Sequence, residues 1–499
     1  MKISEYLTYD GLGLANLVKN KEVTPLELLE TAVEHIENVN GDINAVVVNQ
    51  YDRGRDRIKN QKLEGPFVGV PFLLKDLAAF EVGVPSTFGS QFCKDLVVHE
   101  ESELVTRFKK AGFVTIGRTN TPEFGLHPTT EPRFRGATKN PWQLEHIAGG
   151  SSGGAAAAVA SGMVPIAHGG DGGGSIRIPS SCCGVFGLKP TEGRSPTGPS
   201  GGRLWHGLAV EHVISRTVRD SAAALDIVSA RQVGAPILAP AIKMSFSKQL
   251  EIPLKKLRIA YVEEPFFKAK LHEDCREAAL DAARLCESLG HDVEPHKLNV
   301  KSDEVAHAYL VVVAGETAAL LDRISAHLGR RPKPSELEPV SYVCALGGQA
   351  FRASDYAHAV RVMDEARRNV AYSFEDYDLV LTPTLALPPP KLGELGPTFL
   401  EKGFLKLVNK MPIASLVRQA FRMIPENGFR LSPYTFLFNL TGQPAMSVPL
   451  HWNKEGLPIG THFVARHGEE GLLLRLAKQL DEARSFSTQR PPLLQKYMS

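Results

Sequence analysis

The sequence predicts an α/β protein, a class in which helices cover the faces of a β-sheet. Helix-type and strand-type patterns alternate along most of the chain. The composition is that of an ordinary globular protein, 43% hydrophobic and 22% charged. Neither an internal repeat nor a long low-complexity linker interrupts the 499 residues. Near the start, "VTPLELLETAVEHIENVNG" is a helix, with Thr24 as N-cap, Pro25 in the first turn and Glu27 completing a capping box. Leu28, Leu29, Val33 and Ile36 give it an apolar face. "PFVGVPFLLKDLAAF" (66–80) is rich in strand formers and is interrupted by Lys75 and Asp76. "ESELVTRFKKAG" is a helix and "FVTIGRTN" the strand after it. "MVPIA" is strand-like, and "RTVRDSAAALDIVS" is a helix capped by Thr217. "KLRIAYVEE" is a strand, "DCREAALDAARLCESLG" a helix ending at Gly290, and "HDVEPHKL" a short strand. "YDLVLTPT" is a buried strand, "PAMSVPLHW" and "PIGTHFVA" form a late hairpin, and "EEGLLLRLAKQLDEA" closes with an amphipathic helix. "TPTLALPPPKLGELGP" is a loop. The region from Phe399 to Phe438 is expected either to pack over the sheet or to cover a substrate.

The formal net charge of +2 implies no bulk attraction to nucleic acid or to an acidic membrane. Six scattered cysteines, none in a C-x-x-C pair, speak against a disulfide framework and a zinc knuckle. Reduced thiols and an N-terminus without an apolar core predict a cytoplasmic protein with no signal peptide. Residues 147–170 carry no Asp, Glu, Lys or Arg, but they are mostly Gly, Ser and Ala. They are expected to be buried interior, so no membrane span is predicted.

Chemistry concentrates around "HGGDGGGSIRIP" (168–179). Five of the six residues 169–174 are glycine, which costs backbone entropy unless the segment needs conformations or approaches that only glycine allows. A phosphate loop is excluded, because Ser175 stands where that motif requires lysine. Strand-like and well-patterned flanks exclude a linker. Asp171 and Arg177 are expected to pin the loop; the competing roles are a catalytic acid for Asp171 and a substrate carboxylate for Arg177. Upstream, "GGSSGGAAAAVASG" contains two G-x-S-x-G matches centred on Ser151 and Ser152, but no strand precedes them, so a nucleophile elbow is disfavoured. Ser152 is placed to cap the alanine-rich helix.

Lys75 sits in an apolar, strand-like setting. Burial there requires either an ion pair, for instance with Asp76, or a neutral amine able to act as a base. His127, His168 and His206 lie near these segments without metal-ligand spacing, so no metal is predicted, and no cofactor. Cys182 and Cys183 are expected in the core. Phe124 and the residues around His127 are expected to line an acyl pocket.

"GGSSGG" followed by "GGDGGGSIRIPSSCCGVFGLKPT" resembles the signature region of the amidase signature family, and "GVPFLLKD" resembles that family's lysine segment. "TNTPEFG", "YDLVLTPT", "FNLTGQPAMSVP" and "GLPIG" resemble its other recurring stretches. "GPFVGVPFLLKDL" and "TTEPRFRGATKNPW" resemble the branch with aminohexanoate cyclic dimer hydrolases and acylamidases. The resemblance implies a single domain over 1–499, with a mixed sheet of about eleven strands sandwiched between helices. Its signature core is about 66–230, and residues 370–499 complete the sheet. It implies Ser175 as nucleophile, Ser151 after a cis peptide bond as bridging serine, and Lys75 as base. The N–H groups of Gly172, Gly173, Gly174 and Ser175 would form the oxyanion hole.

The implied activity is cofactor-independent cleavage of a small-molecule carboxamide, a linear or cyclic aliphatic amide or an acylamide, through an acyl-serine. The alternatives are an ammonia-donor subunit of a tRNA-dependent amidotransferase and a non-catalytic scaffold. A homodimer is ordinary for the family. Gly170 and Gly172 depart from the family's commonest wording, in which Thr or another side chain is frequent. His462 stands where Gln is usual and receives no catalytic role.

Overall fold

The computed structural model describes residues 1–199, 201–396, 414, 416–419, 421 and 429–498. Eleven strands form one mixed sheet: β1 (Val46–Asn49), β2 (Pro71–Lys75), β3 (Val114–Thr119), β4 (Ile166–Asp171), β5 (Phe186–Lys189), β6 (Val210–Ser215), β7 (Arg258–Tyr261), β8 (Asp292–Pro295), β9 (Leu379–Pro383), β10 (Ala445–Trp452) and β11 (Pro458–Ala465). Their spatial order is β1-β3-β2-β4-β6-β5-β10-β11-β9-β7-β8. β2 runs parallel to β3 and β4, and β7 to β8 and β9; the remaining pairs are antiparallel. The late strands β9–β11 therefore complete the middle of the sheet.

The predicted elements form where their local signals place them. The Pro25–Ile43 helix carries its capping box, with Glu27 N–H donating to Thr24 Oγ1 and Thr24 N–H to Glu27. The Val218–Val228 helix is capped by Thr217, and β10 and β11 form the late hairpin. Residues 147–170 are buried throughout, and all six cysteines are buried and free.

Several elements have no counterpart in the sequence reading: β1 and the helices Ser302–Leu328, Pro339–Ala350 and Ala353–Asp376. The first of these three is 27 residues long and apolar enough to suit a bilayer by composition. Here it buries Val305, Val312, Ala314 and Ile324 against other elements, so it lacks the single apolar stripe that marks an amphipathic helix. Most of 399–438 lies outside the described residues. Within 429–438, Phe436 stacks on Phe267 and Phe429.

Two sequence expectations are corrected. The glycine run is not wholly a loop, since Gly169, Gly170 and Asp171 are the end of β4 and pair with His212, Glu211 and Val210 of β6. Ser152 occupies the N-cap position of the Gly153–Ala160 helix, but its hydroxyl does not cap. It donates to Gly170 O (3.1 Å) and accepts from Gly170 N–H (3.3 Å), which ties the helix to β4 instead.

Candidate active site

Lys75 is the last residue of β2, a strand buried along its whole length. Its Nζ lies 2.8 Å from Ser151 Oγ and 3.4 Å from Gly170 O. The ion pair with Asp76 does not form. Asp76 accepts from the Thr87 N–H (2.9 Å) and hydroxyl, and it lies 4.0 Å from Arg118. Burial lowers the Lys75 pKa to about 8, against the opposing pull of Glu211 and Asp171.

Ser151 is presented by two glycines that allow nothing larger. Gly149 has φ of 76°, and a Cβ on Gly150 would lie 2.7 Å from the Thr129 backbone. The Gly150–Ser151 peptide bond is cis. The neighbouring Ser152 N–H donates to Ser175 O (3.1 Å), so a backbone bond joins the two serine segments.

Asp171 organises the turn into Ser175. Its carboxylate accepts from Gly174 N–H (2.7 Å), Ile176 N–H (3.1 Å) and two nitrogens of Arg177 (both 2.9 Å). Burial pushes the Asp171 pKa up, but the Arg177 guanidinium and the hydrogen bonds from Arg177 and Asn439 win and hold it well below the usual carboxylate range. Arg177 is fully buried and also donates to Thr435 O, Asn439 Oδ1 and His462 Nε2. These partners leave it no role with a substrate carboxylate. His462 is held neutral by burial and by Arg177.

The loop carbonyls are also held, with Tyr309 donating to Gly172 O (3.3 Å) and Thr435 to Gly173 O (2.7 Å). Among the described residues, no hydrogen bond engages the N–H groups of Gly172, Gly173 or Ser175. The Gly174 N–H, expected in the oxyanion hole, is instead committed to Asp171. The reason is geometric: the loop closes back on its own carboxylate.

Lys75, Ser151 and Ser175 line one cavity of about 500 Å³. Beyond the serines its wall is largely apolar, with Leu77, Phe88, Phe124, Leu320 and Ile324. Phe124 thus lines the cavity as expected, and so does Gly125 near His127, while the His127 side chain is not part of the wall. Cys182 and Cys183 are buried, and burial raises both thiol pKa values. Among the described residues no cluster of three or more His, Cys, Asp or Glu could hold a metal. Glu211, Trp205, Tyr309, Thr435 and Asn439 were not anticipated. Only Glu211 had a visible signal, a lone acid in the strand-like run "AVEHVIS", the same kind of signal that marked Lys75.

The model of the amidase family matches residues 27–474. The chain belongs to the amidase family. Its relatives hydrolyse carbon–nitrogen bonds, and this amidase is similar to several of them along nearly its whole length. It is 35% identical over 497 residues to the 6-aminohexanoate-cyclic-dimer hydrolase of Pseudomonas sp. (strain NK87), covering 98% of this chain and 97% of that one. It is 31% identical to the acylamidase of Rhodococcus erythropolis, covering 96% of each. A solved structure of 6-aminohexanoate cyclic dimer hydrolase superposes with a TM-score of 0.89 at 33% identity, covering 98% of this amidase and 99% of that chain.

Proposed function

We propose that this amidase cleaves a small carboxamide through an acyl-enzyme on Ser175. The observation that carries this reading is the 2.8 Å contact between Lys75 Nζ and Ser151 Oγ inside the cavity that also holds Ser175. Serine is a weak nucleophile until a base takes its proton. A hydroxyl donates and accepts at once, so Ser151 can pass its own proton to neutral Lys75 while taking that of Ser175. Ser175 Oγ then attacks the amide carbonyl. The amides of Gly172, Gly173 and Ser175 receive the developing oxyanion, usually the largest single contribution to catalysis. The proton returns from Lys75 through Ser151 to the leaving nitrogen as the C–N bond breaks. Water, activated by the same route, hydrolyses the ester.

The apolar wall supports an aliphatic or aryl acyl group. The cyclic-dimer hydrolase and acylamidase relatives support linear or cyclic amides and acylamides as the substrate class.

A fluorophosphonate should label Ser175 alone, and Ser175→Ala should lose at least about 10³-fold in amide hydrolysis. An adduct on another residue, or normal turnover by that variant, overturns the assignment. A panel of lactam dimers, anilides, aliphatic amides and glutamine then fixes the substrate. Strong preference for glutamine would move the reading to an ammonia-donor subunit.

A further inference from the structure

Gly170 and Gly172 are each overlain by a side chain from elsewhere. A Cβ on Gly172 would lie 2.9 Å from the Trp205 ring. A Cβ on Gly170 would lie 2.5 Å from Glu211 Oε2 and 2.7 Å from Oε1. Gly170 and Glu211 are direct partners across β4 and β6, so the missing side chain is what lets a carboxylate lie against the β4 backbone. The carbonyl of this same Gly170 is 3.4 Å from Lys75 Nζ.

Glu211 is also fastened to Lys75 through His168. The Lys75 N–H donates to His168 Nδ1 (3.2 Å). That bond requires an unprotonated Nδ1, so Nε2 carries the hydrogen and donates to Glu211 Oε2 (2.8 Å). A short chain thus runs from the Lys75 backbone through an imidazole to a carboxylate that lines the same cavity as Lys75.

We propose that Glu211 is a positioning residue for the proton acceptor: seated over Gly170 and held by His168, its carboxylate stabilises the ammonium that Lys75 becomes when it accepts the serine proton. The inference rests on the reading of Lys75 as base. A cation created in a buried site is costly without a counter-charge. The acids that act on Lys75 are Glu211 from β6 and Asp171 from β4. Asp171 is already bound to Arg177 and the loop amides. Asp76 and Arg118 lie on the backbone side of Lys75, with Arg118 3.5 Å from its carbonyl. Among the described residues Lys75 has no acidic partner within 4.0 Å, so Glu211 supports the ammonium without locking it in place.

The test is the rate of Ser175 phosphonylation by a fluorophosphonate as a function of pH. It is measured for the wild type and for K75A, E211Q, E211D and G170A, with thermal melts to confirm folding. Gln at 211 still accepts from His168 Nε2–H, so only the charge is removed. A less stabilised ammonium deprotonates more easily. The E211Q inflection should therefore fall by about one pH unit, with a high-pH plateau about three- to tenfold lower because the base is weaker. E211D, which keeps the charge, should shift less. G170A keeps the carboxylate but pushes it aside, and should shift the inflection in the same direction as E211Q; it decides the matter if E211Q does not fold. Loss of labelling in K75A with an unmoved inflection in E211Q or G170A overturns the role of Glu211 alone. Normal labelling in K75A overturns the base reading itself.

Discussion

In the proposed mechanism Lys75 serves Ser151 only while it is neutral, and burial moves it toward that state. Burial brings its pKa to about 8. Below that value the amine is protonated and cannot accept a proton; above it the base is free. Amide hydrolysis should therefore fall about tenfold per pH unit on the acid side of this inflection and level off on the basic side. The measurement is kcat/KM against pH, and a profile flat through the inflection contradicts Lys75 as base. Arg177 makes a different kind of demand. It is a buried cation whose partners come from positions as far as 285 residues away. Arg177→Met would leave Asp171 charged, buried and short of its main counter-charge. Urea denaturation should show a loss of about 3–5 kcal/mol.

At the scale of elements, each segment that carries chemistry is anchored by a neighbour. The Gly153–Ala160 helix begins where Ser152 bonds to Gly170 at the end of β4, and Ser152 N–H holds the turn at Ser175. The Pro25–Ile43 helix, remote from the site, relies on its own capping box. Thr24→Ala should cost about 1 kcal/mol by urea denaturation without altering Ser175 labelling. This contrast explains what could be read in advance. Strands such as β2, β3 and β9, and capped helices such as Pro25–Ile43, follow from residues within a few positions of one another. The Ser302–Leu328 helix was missed because apolar residues on several of its faces erase the periodic signal. Asn439 and Thr435 were missed because their roles arise from contacts with β4 and its loop across more than 260 residues. The commitment of the Gly174 N–H to Asp171 is a matter of loop closure, which a run of glycines does not specify. Lys75, Asp171 and Arg177 were legible because charged residues stood out against apolar or glycine-rich surroundings, whereas Ser151 and Ser175 were picked out by the resemblance of their segments to the amidase signature.

At the scale of the whole molecule, one sheet of eleven strands joins the N-terminal and C-terminal parts of the chain. Leu73 on β2 belongs to one apolar core, and Val312 belongs to another packed along the same sheet. We expect calorimetry to show one unfolding transition, lowered by either Leu73→Ala or Val312→Ala. Two resolved transitions, each sensitive to one substitution, would mean that the cores unfold independently.

The direction of the strands has a consequence of its own. β2 and β4 are parallel, while β6 runs opposite to β4. The segments that follow β2 and β4 and the segment that precedes β6 therefore all emerge at the same rim of the sheet. Between them they supply Leu77, Phe88, Gly172, Arg203 and Trp205 to the cavity. Insertions or exchanges in these three connections would remodel the chamber while leaving the strands, and the lysine and aspartate at their ends, in register. The shape of the chamber is thus set by the length and sequence of connections at one edge, separately from the sheet that carries them.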